Sequence, residues 1–178
     1  MIKKIALAFG LLIAAILVAG ALQPADYVVT RSTTIKAPAE KIFPYLNNQK
    51  LAERWGPWKE TDPQATMSYS GPDEGVGAVA SWDSPGQLGT GSATITETEP
   101  NQRVRIALAY TRPMNMTQTS DYIVEPNGDE TKVTWRVEGK NSLPGRVMCL
   151  FMNMDKMVGT MFEKGLSNLK SLVEGTGS

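Results

Sequence analysis

The sequence changes its hydrophobic period once, near residue 144, and this change limits the folds that the chain can adopt. From about residue 27 to residue 139, short β-branched and aromatic segments alternate with Gly, Pro and Asn turn signals, which predicts consecutive antiparallel strands. From Pro144 to about Val173, apolar residues recur every three or four positions, which predicts one long amphipathic helix. At 1.5 Å per residue this helix is about 45 Å long. The pattern predicts an α+β fold in which a curved seven-stranded antiparallel sheet wraps around the C-terminal helix.

Seven segments have the composition of strands, and each is followed by residues that favour turns. The predicted strands are 27–36, 67–69, 77–82, 88–98, 104–110, 118–125 and 131–139. Two short helices are predicted after the first strand. One begins at Pro38, and the other runs from Asn48 to Trp55, where Gly56 and Pro57 end it.

The first 25 residues read as a targeting segment, which leaves residues 26–178 for one domain. Lys3 and Lys4 precede residues 5–22, a run without a charged side chain. The basic end favours the cytoplasm, so the domain is expected on the extracytoplasmic side. The run is long enough for a single-pass anchor, which we favour because a signal core is usually shorter. Cleavage near Ala19-Gly20-Ala21, giving a soluble periplasmic or secreted protein, is the alternative.

The composition excludes several kinds of chemistry. The chain has no His, which excludes Ser-His-Asp triads, Cys-His dyads and His-based zinc sites. Its one cysteine, Cys149, cannot form an internal disulfide or a thiolate cluster. The 18 basic and 18 acidic residues balance, which does not favour nucleic acid as a partner. We therefore predict no metal, no cofactor and no catalytic set.

A strongly curved sheet cannot meet one helix along its whole width, so the gap holds large side chains or remains a cavity. Alternation along the strands places aromatic residues on one face, and the helix adds soft apolar residues to the same space. We predict that an apolar ligand contacts Trp55, Trp58, Tyr69, Trp82, Tyr110, Tyr122, Trp135, Phe151, Met154, Val158 and Met161. A solid core built from the same side chains is the alternative.

Several segments in a fixed order resemble the START-like, or Bet v 1-like (SRPBCC), superfamily, and within it bacterial polyketide cyclase/dehydrase-like proteins. The segments include Arg31-Ser32-x-x-Ile35-x-Ala37-Pro38, Trp55-x-Pro57-Trp58, Tyr69-x-Gly71-x-x-x-Gly75-x-Gly77, Thr131-x-Val133-x-Trp135 and Val158-Gly159-x-x-Phe162-Glu163-x-Gly165-Leu166. The resemblance implies a helix-grip fold with a cavity between sheet and helix. It implies little about chemistry, because the superfamily contains lipid carriers, hormone receptors, cyclases and chaperone activators.

These observations favour a domain that binds or carries an apolar small molecule, such as a lipid or a polyketide-like compound, beside a membrane. A cyclase or dehydratase that moves protons with Tyr, Asp or Glu is one alternative. A chaperone-activator-like module that binds another protein is the other.

Overall fold

The computed structural model describes residues 2–86 and 88–175, and its elements follow the predicted order. The strands are β1 (Asp26–Ile35), β2 (Thr66–Ser70), β3 (Val79–Asp83), β4 (Thr90–Glu99), β5 (Arg103–Arg112), β6 (Met116–Asn127) and β7 (Glu130–Lys140). The helices are α1 (Ile2–Leu22), α2 (Ala39–Asn47), α3 (Gln49–Ala52), α4 (Trp58–Thr61), α5 (Leu143–Cys149) and α6 (Met154–Glu174). All seven strands form one antiparallel sheet in the order β1-β7-β6-β5-β4-β3-β2, with a long C-terminal helix. The predicted helix-grip fold is confirmed.

One face of the sheet, called the inner face here, carries the hydrophobic core. Strand register aligns its side chains in rows that cross the sheet. The Trp135 row contains Val104, Tyr122, Trp135 and Arg31. The Gly139 row, four residues further along β7, contains Leu108, Gln118, Gly139 and Tyr27. These two rows mark two halves of the inner face that differ in how they are covered.

Helix α6 lies along the inner face and is tied to β1 by charged side chains. Arg31 Nη2 lies 3.0 Å from Asp155 Oδ2, and its Nε donates to Glu163 Oε1 at 2.7 Å. Gly159 makes room for this guanidinium, because a Cβ there would lie 2.0 Å from Arg31 Nη2. The first turns of α6 are thereby held at the level of the Trp135 row.

The prediction of one continuous helix from Pro144 to Val173 is wrong in one respect, because residues 150–153 are not helical. They separate α5 from α6. Asn153 is the N-cap of α6, since its side chain accepts a hydrogen bond from the Lys156 backbone N–H at 2.9 Å. Because of this break, α5 and α6 are separate helices and need not share one axis.

The segment between β1 and β2 also differs from prediction. The second helix, α3, ends at Ala52 and does not reach Trp55, and the short helix α4 was not predicted. Helix α2 continues through Pro44, and it buries Ile42, Phe43 and Leu46 against the inner face. The segment closes the end of the core near the start of β7.

Helix α1 leaves the domain beside α5. It has 21 residues, and an 18-residue stretch of it has a mean hydropathy of 2.8, so it is long and apolar enough to cross a membrane, a property that signal sequences share. Arg146 Nη1 donates to the Ala21 carbonyl at 3.0 Å. Gly20 lets Val147 approach closely, since a Cβ at residue 20 would lie 2.4 Å from Val147 Cγ2. The last turn of α1 is therefore in contact with α5.

Candidate functional site

Five aromatic rings, called the aromatic cluster here, occupy the space between the Trp135 row and α6. The Trp135 ring stacks on Phe162, with centroids 4.1 Å apart and planes inclined by 9°. It also makes edge contacts with the other three rings, at centroid distances of 5.4 to 5.7 Å. The members of the cluster are Trp55, Trp58, Tyr122, Trp135 and Phe162. At this level, side chains fill the gap between sheet and helix.

Two indole N–H groups of the cluster have acceptors within the domain. Trp135 Nε1 donates to the buried hydroxyl of Ser120 at 3.0 Å, and Trp55 Nε1 donates to the Tyr45 carbonyl at 2.9 Å. Burial raises the pKa of Tyr122 far above its ordinary value of 10.0, so its phenol stays protonated. Rings in edge-on and stacked contact around these two hydrogen bonds form a packed core, and this core specifies the position of α6.

Gly165 allows α6 to approach this cluster. A Cβ at that position would lie 2.9 Å from Trp135 Cζ3 and 3.2 Å from Pro57 Cδ. Helix, sheet and the Pro57 turn therefore meet at one glycine. Glycine lowers helix propensity, and these close approaches explain why α6 nevertheless has glycine at two positions. Gly159 makes room for Arg31, and Gly165 makes room for Trp135 and Pro57.

The other half of the inner face is only partly covered. Because Arg31 of the Trp135 row contacts the second residue of α6, the Gly139 row lies beyond the start of that helix. Six side chains on this part of the face are half-buried, and we call their surface the trough. Its residues are Tyr27, Trp82, Leu108, Tyr110, Met116 and Gln118.

The floor of the trough is aromatic and lies across three strands. Trp82 and Tyr110 flank Gly91 of β4, and their rings meet edge to face at 5.3 Å. A Cβ at residue 91 would lie 2.6 Å from Trp82 Cζ2, so the glycine allows the indole to lie across the strand. Trp82 Nε1 donates to the Leu88 carbonyl at 3.1 Å, which fixes the ring.

Two phenols and an amide supply the polar groups of the trough. The Tyr27 hydroxyl lies over Gly139 next to the Gln118 side chain. Burial raises the pKa of Tyr27, although the Gln118 hydrogen bond partly offsets this effect. Burial likewise raises the pKa of Tyr110, to about 12. Both phenols are protonated at neutral pH, so they offer O–H donors beside an apolar surface.

The structure brings six of the predicted ligand-contacting residues together in two groups. Trp55, Trp58, Tyr122 and Trp135 belong to the aromatic cluster, where they contact one another. Trp82 and Tyr110 belong to the trough. Contact of these residues with a ligand stays a prediction, and among the six only those of the trough are both half-buried and outside the filled interior.

The other five predicted residues lie elsewhere. Phe151 is a correction: it lies in the break between α5 and α6 and is exposed to solvent, since no helix there turns it inward. Met154 and Val158 lie in the first turns of α6 and are half-buried. The Tyr69 hydroxyl donates to Glu53 Oε2 at 2.5 Å, and Met161 faces α4.

Two hollows lie outside the aromatic cluster. One of about 50 Å³ lies beside Tyr69 and Lys50, and its volume suits a few water molecules. The other, of about 260 Å³, is a shallow opening between α4 and α6. It is lined by Pro57, Glu60, Thr61, Thr160, Met161 and Lys164. Neither hollow reaches the residues of the trough.

Sequence reasoning missed Phe162 and four residues of the trough, namely Tyr27, Leu108, Met116 and Gln118. Phe162, Leu166 and Leu169 are spaced as one helical stripe that the nearby methionines obscure. Leu108 alternates with Tyr110 on the same face of β5, a signal that was sufficient to include it. Across residues 2–86 and 88–175, no group of His, Cys, Asp or Glu is arranged to hold a metal ion.

Comparison with known proteins agrees with this architecture. Residues 27–174 match the family model described as polyketide cyclase / dehydrase and lipid transport. No curated protein sequence matches the chain at a significant level.

Several solved structures are similar in fold. Norcoclaurine synthase of Thalictrum flavum, a point mutant in complex with a transition-state analogue, has a TM-score of 0.64 at 14% identity, over 88% of this chain and 99% of that one. The Aha1 dimer of Colwellia psychrerythraea gives 0.59 at 20% identity, over 83% and 96%. CalU16 of Micromonospora echinospora gives 0.54 at 16% identity, over 86% and 85%. At these identities the likeness concerns the fold. The family match covers nearly the whole domain, and the chain therefore belongs to the polyketide cyclase / dehydrase and lipid transport family of the START-like, or Bet v 1-like, superfamily.

Proposed function

We propose that the chain binds an apolar small molecule, such as a lipid or a polyketide-like compound, on the trough. The observation that carries this proposal is the contrast on the inner face: the aromatic cluster fills one half, and the trough leaves an aromatic and aliphatic surface partly exposed. Ligand sites in proteins combine such apolar surface with a few oriented polar groups. The Tyr27 and Tyr110 hydroxyls and the Gln118 amide provide those groups.

The proposed ligand is neutral or weakly polar at its buried end. The trough itself contains no ionised side chain at neutral pH, because a phenol with the ordinary pKa of 10.0 is protonated there and burial raises the pKa of Tyr27 and Tyr110 further. An anionic group would be poorly stabilised on this surface, since desolvating a charge without a partner is costly. A hydroxyl, carbonyl or quinone-type oxygen would accept a hydrogen bond from either phenol.

Binding is favoured over cyclase-type proton transfer by the same phenols. General acid–base catalysis works best when the pKa of the group lies near the operating pH. Burial moves the pKa of Tyr110 to about 12, away from neutrality. The trough therefore has hydrogen-bond donors but no group poised to exchange a proton at pH near 7.

We also propose that α1 is retained as an anchor, which places the domain on the extracytoplasmic side of a membrane. In support, α1 presents apolar side chains on all sides, and Lys3 and Lys4 stand at its beginning. Mass spectrometry of the protein recovered from bacterial cells tests this point. An intact N-terminus supports the anchor, and a chain beginning after residue 21 contradicts it.

The binding proposal is tested on the full chain in mild detergent with an apolar dye whose fluorescence depends on its environment. Leu108→Glu introduces a charge in the trough, and Ala107→Glu is the matched control on the opposite face of the same strand. We expect about tenfold weaker dye binding for Leu108→Glu, because losing the contact of one buried Leu costs about 1.5 kcal/mol. The control should bind like the parent chain.

A second variant, Tyr110→Phe, keeps the apolar floor and removes one hydroxyl, and it guards against misfolding of the charged variant. It should bind the purely apolar dye normally and bind an amphiphile with a carbonyl group less tightly. Equal dye binding by Leu108→Glu and Ala107→Glu, in folded proteins, would exclude the trough as the site.

A further inference from the structure

An exposed apolar surface lies on α5 and in the break that follows it. Four large side chains there are in contact with solvent: Leu143, Met148, Phe151 and Met152, with exposed fractions of 40, 42, 72 and 44%. We call residues 143–152 the foot. No carboxylate occurs between residues 141 and 154, and Arg146 is the one basic residue of that stretch. A cluster of exposed apolar side chains on a short segment is typical of a surface that contacts a partner or a membrane.

The position of α1 identifies what covers the foot. A helix of 21 residues is about 32 Å long, close to the hydrocarbon thickness of a bilayer of about 30 Å. The whole of α1 is therefore needed to cross, and its last turn must lie at the membrane–water interface. The last turn is in contact with α5 through Gly20 and Val147, so α5 lies at the same depth.

Arg146 strengthens this connection. Its guanidinium donates to the Ala21 carbonyl, one of the final carbonyls of α1 that has no partner within the helix. A cation at a helix C-terminus also interacts favourably with the helix dipole. The charged residue of the foot is thus turned toward the end of α1, which leaves the apolar side chains free to face lipid.

We infer that the foot inserts into the interfacial layer of the same bilayer that α1 crosses, so that the trough opens at the membrane surface. This inference rests on the proposed anchor. The trough is adjacent to the foot, because β7 ends at Lys140 next to the Gly139 row and the Cys149 thiol lies near Tyr27. An apolar molecule then passes between lipid and trough without crossing bulk water.

The depth of the foot is measured on the full chain in phosphatidylcholine vesicles. In a Cys149→Ala background, Phe151→Cys carries an environment-sensitive fluorophore at the most exposed position of the foot. Asp129→Cys carries it in the β6–β7 turn, at the opposite end of β7, as the matched control. We expect lipids with a nitroxide near the headgroup to quench the label at residue 151 and leave the label at residue 129 unaffected.

Flotation of the vesicles separates the failure of the two proposals. If the chain floats with the vesicles and the label at residue 151 is not quenched, the insertion of the foot is refuted and the proposed anchor stands. If the chain does not float, both the membrane anchor and the insertion of the foot are refuted. A label that is shielded from aqueous iodide in native membranes but accessible in pure lipid vesicles would assign the foot to a protein partner and overturn the lipid assignment.

A functional readout completes the test. Phe151→Ser combined with Met152→Ser removes apolar side chains that are exposed in the structure, so folding should be unaffected. Transfer of an apolar dye from vesicles to the trough should become slower, while the affinity for the same dye in detergent should not change. Unchanged transfer would contradict a role of the foot in ligand entry.

Discussion

At the Trp135 row, the inner face is covered by α6, which contributes Phe162, and by the rings of Trp55 and Trp58. Four residues further along β7, at Gly139, it is covered by neither. The two halves do not differ much in composition, since both contain Trp and Tyr side chains that project from the same face of the sheet. They differ in what lies above them, because α6 begins at Met154 and runs away from the Gly139 row. Whether aromatic residues form a filled core or a partly exposed surface depends here on the residue at which one helix begins.

The largest effect is expected when Trp135→Ala is compared with Trp82→Ala. Trp135 is buried and contacts four rings, so its truncation should lower the free energy of unfolding by about 3–5 kcal/mol. Trp82 is half-buried and contacts one ring, so its truncation should cost about 1–2 kcal/mol. Urea denaturation of the full chain in detergent measures both values. Equal losses would mean that the trough is packed as tightly as the cluster.

Gly165→Ala tests how closely α6 approaches the cluster. The added methyl would meet the Trp135 ring and Pro57, and overpacking of this kind costs about 1–3 kcal/mol. The gain in helix propensity, about 1 kcal/mol, offsets part of that cost. The exposed Ser167→Ala on the same helix is the control, and it should be neutral or slightly stabilising. A more stable Gly165→Ala protein, measured by the same denaturation, would show that the helix lies further from the sheet.

The smallest expected effect concerns the ion pairs of Arg31 with Asp155 and Glu163, which we call the Arg31 clamp. The sign of their effect on the pH dependence of stability is defined. The hydrogen bonds from Arg31 hold the pKa of Asp155 below its ordinary value of 3.8. A lowered pKa means that the stabilisation is present above that value and is lost as the pH falls through the folded-state pKa. Asp155→Asn should therefore reduce the drop in melting temperature between about pH 6 and about pH 3. The exposed Asp129→Asn is the control, and a change of the same size there would rule out a specific role for the clamp.

The topology could be predicted from the sequence because strand alternation and turn residues are local signals. The fixed order of seven strands and a helical C-terminus is sufficient to specify a helix-grip fold. The break between α5 and α6 was missed because the apolar period continues through Phe151 and Met154 without a Gly or Pro. Asn153 followed by Asp155 is the signal that could have placed it, since Asn favours the N-cap and an acidic residue favours the first turn.

The trough could be predicted only in part, because coverage is a long-range property. Alternation places Tyr110 and Trp82 on the inner face, but the sequence does not tell which inner-face residues lie under the helix. Arg31 provides the missing information in the structure, since its contact with Asp155 fixes the row at which α6 begins. A charge on the otherwise uncharged inner face of β1 is a local hint that a helix with acidic residues lies opposite.

The four non-helical residues between α5 and α6 have a mechanical consequence. A continuous helix would act as a rigid lever, and any tilt of the anchor would be transmitted to Phe162 and from there to Trp135. Because residues 150–153 are not helical, α5 could follow the bilayer in the proposed anchored state while α6 stays bound to β1 through Arg31. If the proposed anchor is correct, the break would insulate the well-packed part of the domain from undulations of the membrane.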